Sequence, residues 1–504
     1  VIEINDPSEE RKTIFYTALY HSLLMPWIVS DSQGYYKGKD DKIHQAQGEN
    51  EYGAFSPWDT FRSLHPLLCL LAPNRQNDMI RSVLDEFDQS GHLPKGPMTG
   101  LHIVPIITDT YAKGIRKFDQ GKALRATLTT LQRNAEKEND FAQYIQQGYV
   151  SYDFQESVTR TMEYAYDDWA VAQMAKQVND TAVYRQFNGQ SANYQKLFYP
   201  ESKFFLPRKD NNFLPEPEGQ GYKEGDKWIY SLFVPHDPVA LVNFTGGAEP
   251  FAQRLDSALS NQLILFDNEP AFHVPYLFNF TGKPALTQKW VRTIMQNNYS
   301  ATPGGLPGND DLGSMSSWYV FSAMGFYPFC PGRPVYELGS PLFREVVIHL
   351  SNGKKWTIRS ENNSEENIYV KNIRLNGKPF GSQWLNHSDI LAGGEIIFSM
   401  DRIPSEFSGS RFDGRSETTD YSQCIASGFE IPADPVISGQ PFTIQYSVEN
   451  KGSAGTTMLS LTVDGKPYQS KSVWVDAHSV KKGTFECGLY PVGKRSLSLN
   501  QLPP

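Results

Sequence analysis

The spacing of hydrophobic residues changes once along the chain, near residue 336, and this change constrains the fold more than any other feature. Before it, apolar residues recur every three or four positions in segments such as RKTIFYTALYHSLLMPWIV, which is the pattern of helices with one buried face. After it, segments such as REVVIHLSNG and EIIFSMDR alternate apolar and polar residues, which is the pattern of strands. The sequence therefore predicts an all-α unit followed by β units.

This change of spacing predicts how the chain is divided. We predict a helical domain over 1–335, a β-sandwich over 336–405, a polar linker over 406–425 and a small immunoglobulin-like β module over 426–504. Long loops rich in Gly, Pro and Asn join successive helices of the first unit. Such loops on a rigid helical scaffold commonly carry function, and the arrangement is typical of an (α/α)6-type toroid.

Charge and composition exclude several classes of function. The net charge is -9 and there is no run of Lys or Arg, so we expect no binding to nucleic acid or an anionic membrane. No apolar run approaches the ~18 residues that a membrane-spanning helix needs. The chain enters a helical pattern at its start without a signal peptide, which fits either a cytoplasmic protein or a trimmed secreted one.

The four cysteines form no CxxC pair, so neither a zinc site nor a redox dithiol is expected. Cys424 and Cys487 fall in one C-terminal region and could form a disulfide there. Free buried thiols are an equally good prediction.

Four segments next to predicted loops concentrate carboxylates, Trp and His. The first, FSPWDTFRSLHPLL, carries Trp58 and Asp59 at the start of a helix. Trp58 offers a flat face for a sugar ring, and Asp59 can accept hydrogen bonds from sugar hydroxyls. Asp59 and Arg62 also stand three positions apart, so an ion pair at the helix start is the structural alternative.

In the second segment, EGDKWIYSLF, Glu224 lies in a Gly-flanked loop before an aromatic helix. Trp228 would form an apolar wall that excludes water from this carboxyl, although a plain surface glutamate is the alternative. The third segment, FDNEPAFHVPYLFNF, holds Asn268, Glu269 and His273 among apolar residues. Buried polar groups must be paired or coordinate something, so oxygen ligands for calcium or an internal hydrogen-bond network are the two interpretations.

The fourth segment, GGLPGNDDLGSMSSWYVFSAMGFYP, gives the strongest signal. Asn309, Asp310 and Asp311 occupy a Gly-rich turn before a nearly apolar helix, which predicts that this helix is buried. One carboxylate is enough to cap a helix N-terminus, so the second is predicted to serve a site. Asp167 and Asp168 are adjacent within another helix and face different sides, so at least one is expected to point toward a site.

Widely separated acids, aromatic platforms and oxygen ligands together fit glycoside hydrolysis. That reaction needs one carboxyl that protonates the leaving oxygen and a second that activates water, held roughly 6.5–9.5 Å apart in inverting enzymes. The chain contains no GxSxG, Walker loop, HExxH or dinucleotide fingerprint, so the common competing enzymes lack their motifs.

The same motifs resemble those of glycoside hydrolase family 92, over about residues 10 to 402. The resemblance rests on several long segments in the family's order, including PGNDDLGSMSSWYVFSAMGFYP, NEPAFHVPYLFNFTGKP, EGDKWIYSLFVPHD, EYAYDDWAVAQMAK, SPWDTFRSLHPLL and MTGLHIVPIITDTYAKGI. It implies an exo-acting α-mannosidase that depends on calcium (Ca2+) and inverts at the anomeric carbon. The family is typically bacterial and exported, which implies a secreted, periplasmic or outer-surface protein.

The resemblance also implies roles for individual residues. Glu224 is expected to be the general acid and Asp311 the base. Asp310 or Asp167 is expected to matter more than usual in catalysis, because Asn309 stands where the family often has an acidic residue that assists the base. The implied calcium ligands are Asn268, Glu269 and Asp311. The implied substrate contacts are Trp58, Asp59, Asp167, Trp228, Asn268, Glu269 and His273. His102 of MTGLHIVP matches a motif position to which no role is assigned.

The resemblance favours terminal mannose on an N-glycan or mannan as substrate, with α-1,2 bonds first. Members of the family normally begin with a β-sandwich domain, and from the resemblance we expect this chain to be without it. Together with Asn309, this motivates an alternative, a catalytically impaired glycan-binding protein of the cell surface. Another toroid enzyme, acting on glucosides or by phosphorolysis, is a third hypothesis.

Overall fold

A computed structural model describes most of the chain, namely residues 1–46, 50–210, 212–214, 220–405, 424–430, 441–451, 455–464, 466–476, 478–487 and 496–499. None of the helices in these ranges is long and apolar enough to cross a membrane.

Helices dominate the described chain as far as residue 324, as the hydrophobic spacing predicts. Several begin at a side chain that accepts a hydrogen bond from the first turn, such as Ser8, Asp119 and Asp180. The α-helices are α1 Glu9–His21, α2 Pro57–Thr60, α3 Leu64–Leu71, α4 Pro73–Ser90, α5 Ile103–Ala112, α6 Gln120–Lys137, α7 Asn139–Gln147, α8 Ser157–Gln177, α9 Thr181–Gln190, α10 Lys227–Tyr230, α11 Pro238–Phe244, α12 Ala248–Ser260, α13 Pro284–Asn298, α14 Ser314–Met324 and α15 His387–Leu391. Every residue of α14 is buried, as its composition predicts.

Strands follow the helices and also occur as short pairs in the loops between them. They are β1 Ile2–Asn5, β2 Trp27–Ile28, β3 Tyr35–Lys37, β4 Ile43–Gln45, β5 Tyr52–Gly53, β6 Phe198–Tyr199, β7 Phe204–Phe205, β8 Arg208–Lys209, β9 Asn212–Phe213, β10 Phe326–Tyr327, β11 Val335–Leu338, β12 Glu345–His349, β13 Lys355–Glu361, β14 Tyr369–Leu375, β15 Lys378–Pro379, β16 Trp384–Asn386, β17 Gly394–Asp401, β18 Cys424–Glu430, β19 Phe442–Asn450, β20 Gly455–Val463, β21 Lys466–Val475, β22 Ser479–Cys487 and β23 Leu497–Leu499.

The region predicted as a β-sandwich contains a six-stranded sheet, in the order β1-β12-β13-β17-β14-β15, and a three-stranded sheet, β10-β11-β16. The first strand of the chain belongs to this region, because β1 pairs antiparallel with β12, with Ile2 opposite Ile348. Its sequence, IEIN, alternates apolar and polar residues, which is a strand pattern at the start of a unit that we predict to be helical. The helical unit and these sheets share one contiguous hydrophobic core.

The C-terminal module has two three-stranded sheets, β18-β19-β22 and β21-β20-β23. Its hydrophobic core, which includes Ile444, Leu461 and Phe485, is separate from that of the rest of the chain. Most of the predicted linker, 406–423, lies outside the described residues.

The two cysteines of this module do not form a disulfide with each other. β18 and β22 flank opposite sides of β19, where Cys424 lies opposite Asn450 and Cys487 lies opposite Phe442. These two positions are at opposite ends of β19, about 26 Å apart along the strand, whereas a disulfide needs Cα atoms within about 7 Å. None of the four cysteines forms a disulfide, and all four are buried.

Thiol reactivity tests this arrangement. We expect a thiol reagent such as dithionitrobenzoate to leave the native protein unlabelled, because all four thiols are buried. All four should react once the protein is unfolded in guanidinium without reductant. Fewer than four reactive thiols after unfolding would indicate a disulfide and contradict this arrangement.

Candidate functional site

The two acids of the turn before α14 differ in their roles, because Asp310 makes hydrogen bonds to the helix and Asp311 is left half-buried. The Oδ1 atom of Asp310 accepts a hydrogen bond from the Ser316 N–H at 2.8 Å, and its backbone carbonyl accepts from the Ser314 N–H at 2.8 Å. Asp310 therefore fixes the start of α14. Asp311 has a positive φ of 36°, and Leu312 and Gly313 follow at 61° and 88°. This left-handed backbone costs energy for residues other than glycine, and it turns Asp311 away from the helix cap.

The loop before α10 repeats this division. The Oδ1 atom of Asp226 accepts hydrogen bonds from the N–H groups of Trp228 and Ile229, at 2.8 and 3.0 Å, and so caps the helix. Glu224, two residues earlier, has a φ of 46° and an exposed carboxylate. Its Oε2 atom accepts a hydrogen bond from the Asn268 side-chain amide at 3.0 Å.

These two loops and the NEP segment surround one open cleft of about 930 Å³. Glu224, Trp228, Asn268, Asn309 and Asp311 all line it. The structure therefore brings together side chains from three segments that sequence analysis singles out separately. An open cleft of this size, with acids from different walls, suits a small polar ligand such as a sugar.

Three carboxylates converge beside this cleft. Asp59, Glu269 and Asp311 each offer an oxygen, and these oxygens all lie within 4.8 Å of one another. Burial, followed by the charge of Asp311, raises the pKa of Glu269 to about 9. Burial also raises the pKa of Asp59 to about 6, although a hydrogen bond from Ser56 opposes it. Burial and then the charge of Glu224 raise the pKa of Asp311. The group thus resists carrying three negative charges without a cation.

The donor set of this acidic group fits a hard divalent cation. Neither carboxylate oxygen of the fully buried Glu269 has a hydrogen-bond partner among the described residues. Buried carboxylates without partners are costly unless they are neutral or coordinate a metal, and calcium prefers oxygen ligands of this type. Within the described residues this is the group of acids and histidines that could hold a metal.

This group of acids contains two of the predicted calcium ligands, Glu269 and Asp311, and adds Asp59. Asp59, predicted as a sugar contact, joins Glu269 and Asp311. Asn268, predicted as a ligand, uses its side-chain oxygen to accept a hydrogen bond from the Glu269 N–H at 3.0 Å, while its amide donates to Glu224. Asn268 therefore links the cleft acid to the acidic group.

Trp58 lies beneath the cleft and is not an exposed platform. Only 1% of its surface is accessible, and its indole Nε1–H donates to Glu163 at 2.7 Å. The ion pair between Asp59 and Arg62 that spacing suggested is absent among the described residues. The Arg62 guanidinium instead lies over the rings of Trp58 and Phe61, at 5.0 and 4.6 Å.

Two more predicted substrate contacts, Asp167 and His273, are buried and make their hydrogen bonds within the core. The Oδ1 atom of Asp167 is 2.8 Å from His102 Nδ1, so its carboxylate faces a buried histidine. Asp168 accepts a hydrogen bond from the Tyr144 hydroxyl at 2.6 Å, also in the core. His273 Nε2 lies 2.8 Å from the Leu232 carbonyl, and burial lowers its pKa to about 4, as for a neutral core histidine.

Trp228 does line the cleft, as its position beside Glu224 predicts. Its ring lies edge-on to Phe204 with centroids 4.8 Å apart, and the Arg254 guanidinium lies 5.1 Å from its centre. These contacts hold Trp228 in place, so it can form one wall of the cleft.

The chain is similar to several known proteins. The chain matches the model of the glycosyl hydrolase family 92 catalytic domain over residues 1–402. An uncharacterized secreted glycosidase of Arthroderma benhamiae is 28% identical over 390 residues, which cover 67% of this chain and 50% of the relative. The chain therefore spans about half the length of this curated relative.

Two solved structures from Bacteroides thetaiotaomicron are similar in fold. A family GH92 α-mannosidase in complex with mannoimidazole has 33% identity and a TM-score of 0.77, with 82% of this chain and 59% of that chain covered. A family GH92 inverting mannosidase has 32% identity and a TM-score of 0.77, with 83% and 62% covered.

Proposed function

Because the chain belongs to glycoside hydrolase family 92, we propose that it hydrolyses terminal α-mannosides as an exo-acting, inverting enzyme. The observation that carries this proposal is the cleft in which Glu224 and Asp311 stand on separate loops beside the acidic group. The α-mannosidase and the inverting mannosidase of similar fold support the choice of sugar and of stereochemistry.

The proposed reaction is a single displacement. The Glu224 carboxyl gives its proton to the glycosidic oxygen as the bond from that oxygen to the anomeric carbon breaks. A water molecule attacks the anomeric carbon from the opposite face, and Asp311 accepts the proton that the water loses. Asn268 orients Glu224 through its amide hydrogen bond, and Asp310 holds the turn that presents Asp311.

We propose that Asp59, Glu269 and Asp311 hold a calcium ion. When bound, calcium would supply a Lewis acid that orients neighbouring sugar hydroxyls. The buried Asp59 and Glu269 carboxyls and the partly buried Asp311 would then carry their charges against a cation rather than against one another. Asp311 belongs to both the cleft and the acidic group, which would connect water activation to the metal.

The finer features of substrate and location are also proposals. We propose α-1,2-linked mannose of an N-glycan or mannan as the first substrate to test, and a secreted protein, as the Arthroderma benhamiae relative is named. We further propose that the helical unit closes as an (α/α)6-type toroid around the cleft.

Hydrolysis assays test this function. With p-nitrophenyl α-mannoside and α-1,2-mannobiose, we expect mannose release that EDTA abolishes and added calcium restores. A calcium-independent activity would remove the metal from the proposal. Saturable mannose binding without hydrolysis at high enzyme concentration would favour the glycan-binding alternative.

The anomer of the first product tests the stereochemistry. Proton NMR early in the hydrolysis of an α-mannoside should show β-mannose, because water adds to the face opposite the leaving group. The α anomer should appear later through mutarotation. Initial release of α-mannose would contradict direct displacement by a water that Asp311 activates.

A further inference from the structure

A buried ion pair lies behind Trp58, and the proposed reaction does not use it. His102, at the N-terminus of α5, is 1% exposed. Its Nδ1 atom is 2.8 Å from Asp167 Oδ1, and its Nε2 atom is 3.5 Å from Glu163 Oε2. Glu163 and Asp167 are four residues apart on α8, so both project from one face of that helix toward α5.

His102 and Glu163 are both charged near neutral pH. Burial disfavours the imidazolium, but Asp167 and then Glu163 outweigh it and raise the pKa of His102 to about 9. Burial likewise opposes ionisation of Glu163, but the hydrogen bond and charge of His102 outweigh it and lower the pKa of this carboxyl. Arg62 is the other charged group that acts on Glu163 from the side of α2. Burying these charges costs free energy, which their pairing must offset.

The Glu163 carboxylate connects this pair to the acidic group. Its Oε1 atom accepts the Trp58 indole hydrogen at 2.7 Å, and its Oε2 atom accepts from the Thr99 hydroxyl. Trp58 directly precedes Asp59 in α2, a helix of four residues. The His102 ring also stacks on Phe61, with centroids 4.5 Å apart. A single helical turn has little stability of its own, so the position of Asp59 depends on these contacts.

We propose that His102 and Glu163 are positioning residues that hold Trp58, and through it Asp59, in the geometry that the calcium-binding acids require. This inference rests on the proposed function. It assigns a role to the MTGLHIVP motif and adds Glu163, which sequence analysis does not single out. Groups that orient metal ligands from behind typically change metal affinity by 10–100-fold when they are lost.

Glu163→Gln tests this role, because it keeps the side chain's shape and removes its charge. Calorimetric titration of the metal-free protein at pH 7 should show calcium binding about tenfold weaker than in the wild type. The matched control is Asp168→Asn, which alters another buried carboxyl on the same helix, one that accepts its hydrogen bond from Tyr144 and not from Trp58 or Thr99. The control should bind calcium within about twofold of the wild type.

The outcomes separate positioning from general destabilisation. A purely structural role would lower the melting temperature of Glu163→Gln and leave the calcium dissociation constant within about twofold of wild type, and that result would overturn the inference. If Glu163→Gln does not fold, Thr99→Val removes one hydrogen bond to Glu163 and should weaken calcium binding about threefold, because a single hydrogen bond contributes roughly 0.5–1.5 kcal/mol. Unchanged calcium binding in that variant would overturn the inference.

The wild-type protein distinguishes this inference from the proposed function. If the wild type hydrolyses α-mannosides and binds calcium, and Glu163→Gln binds calcium with the same affinity, only the positioning role is contradicted. A wild type that binds no calcium would overturn both the calcium assignment and this inference.

Discussion

Glu224→Gln is expected to lower kcat for α-1,2-mannobiose by about a thousandfold, because general acid catalysis contributes about 10²–10⁴ in rate. Mannose is a poor leaving group and needs the proton that Glu224 donates. The p-nitrophenolate group leaves without protonation, so kcat for p-nitrophenyl α-mannoside should fall far less. Asp311→Asn should slow both substrates alike, because water must be activated whichever group leaves. Steady-state kinetics of both variants on both substrates measure this difference.

The control for these variants is Glu249→Gln. Glu249 is exposed and forms an ion pair with Lys283 at 2.8 Å, so its kinetics should match the wild type on both substrates. Equal losses for Glu224→Gln on the two substrates would remove Glu224 from the acid role. A mild effect of Asp311→Asn would equally remove Asp311 from water activation.

The part of the site that the sequence predicts best is the turn before α14, where one acid is expected to stabilise the helix N-terminus and the other to serve a site. One carboxylate satisfies a helix N-terminus, so a second acid beside it needs another reason to be there. In the structure Asp226 caps α10 and Asp310 accepts a hydrogen bond from the first turn of α14, whereas Asp311 and Glu224 line the cleft. Which acid of each pair is free depends on the local φ, and the sequence does not determine that. The family resemblance and the succession of helices and sheets are confirmed.

Contacts between distant segments could not be predicted in the same way. Asp59 meets Glu269 and Asp311 through tertiary packing, and no local pattern brings these residues together. The position of Trp58 at the start of a helix suggested a flat face for a sugar, but its side chain is buried. Its hydrogen-bond partner, Glu163, lies 105 positions away in the sequence, so no local pattern reveals the contact. One signal was present: Glu163 and Asp167 are acids at i and i+4 in a mostly apolar helix. A buried pair of this kind needs a cation between its members, and the structure places His102 there.

The C-terminal residues show the same limit. The alternation of apolar and polar residues predicts the strands, and the strands are observed. Whether Cys424 and Cys487 can form a disulfide depends on strand order and register. In the structure their strands flank β19, and the two residues lie opposite its two ends. Sequence spacing alone could not choose between a disulfide and two free thiols.

Glu269→Gln is expected to separate metal binding from folding. Because the pKa of Glu269 is about 9 in the metal-free protein, its carboxyl is largely neutral at pH 7. An amide of the same shape should therefore leave the melting temperature without calcium within about 2 °C of wild type. Calcium at about 100 times its dissociation constant should stabilise the wild type by about 2.7 kcal/mol. The variant should lose this stabilisation, because calcium needs the ionised carboxylate.

Thermal unfolding with EDTA and with added calcium measures both effects. Hydrolysis by Glu269→Gln should equal that of the wild type in EDTA, and calcium should not restore it. Asp168→Asn, a change to a core carboxyl bonded to Tyr144, should keep the full calcium response. If Glu269→Gln still gains stability from calcium, the cation binds elsewhere. A large loss of stability in EDTA would instead mean that Glu269 is ionised and paired before the metal arrives, which contradicts its lack of hydrogen-bond partners among the described residues.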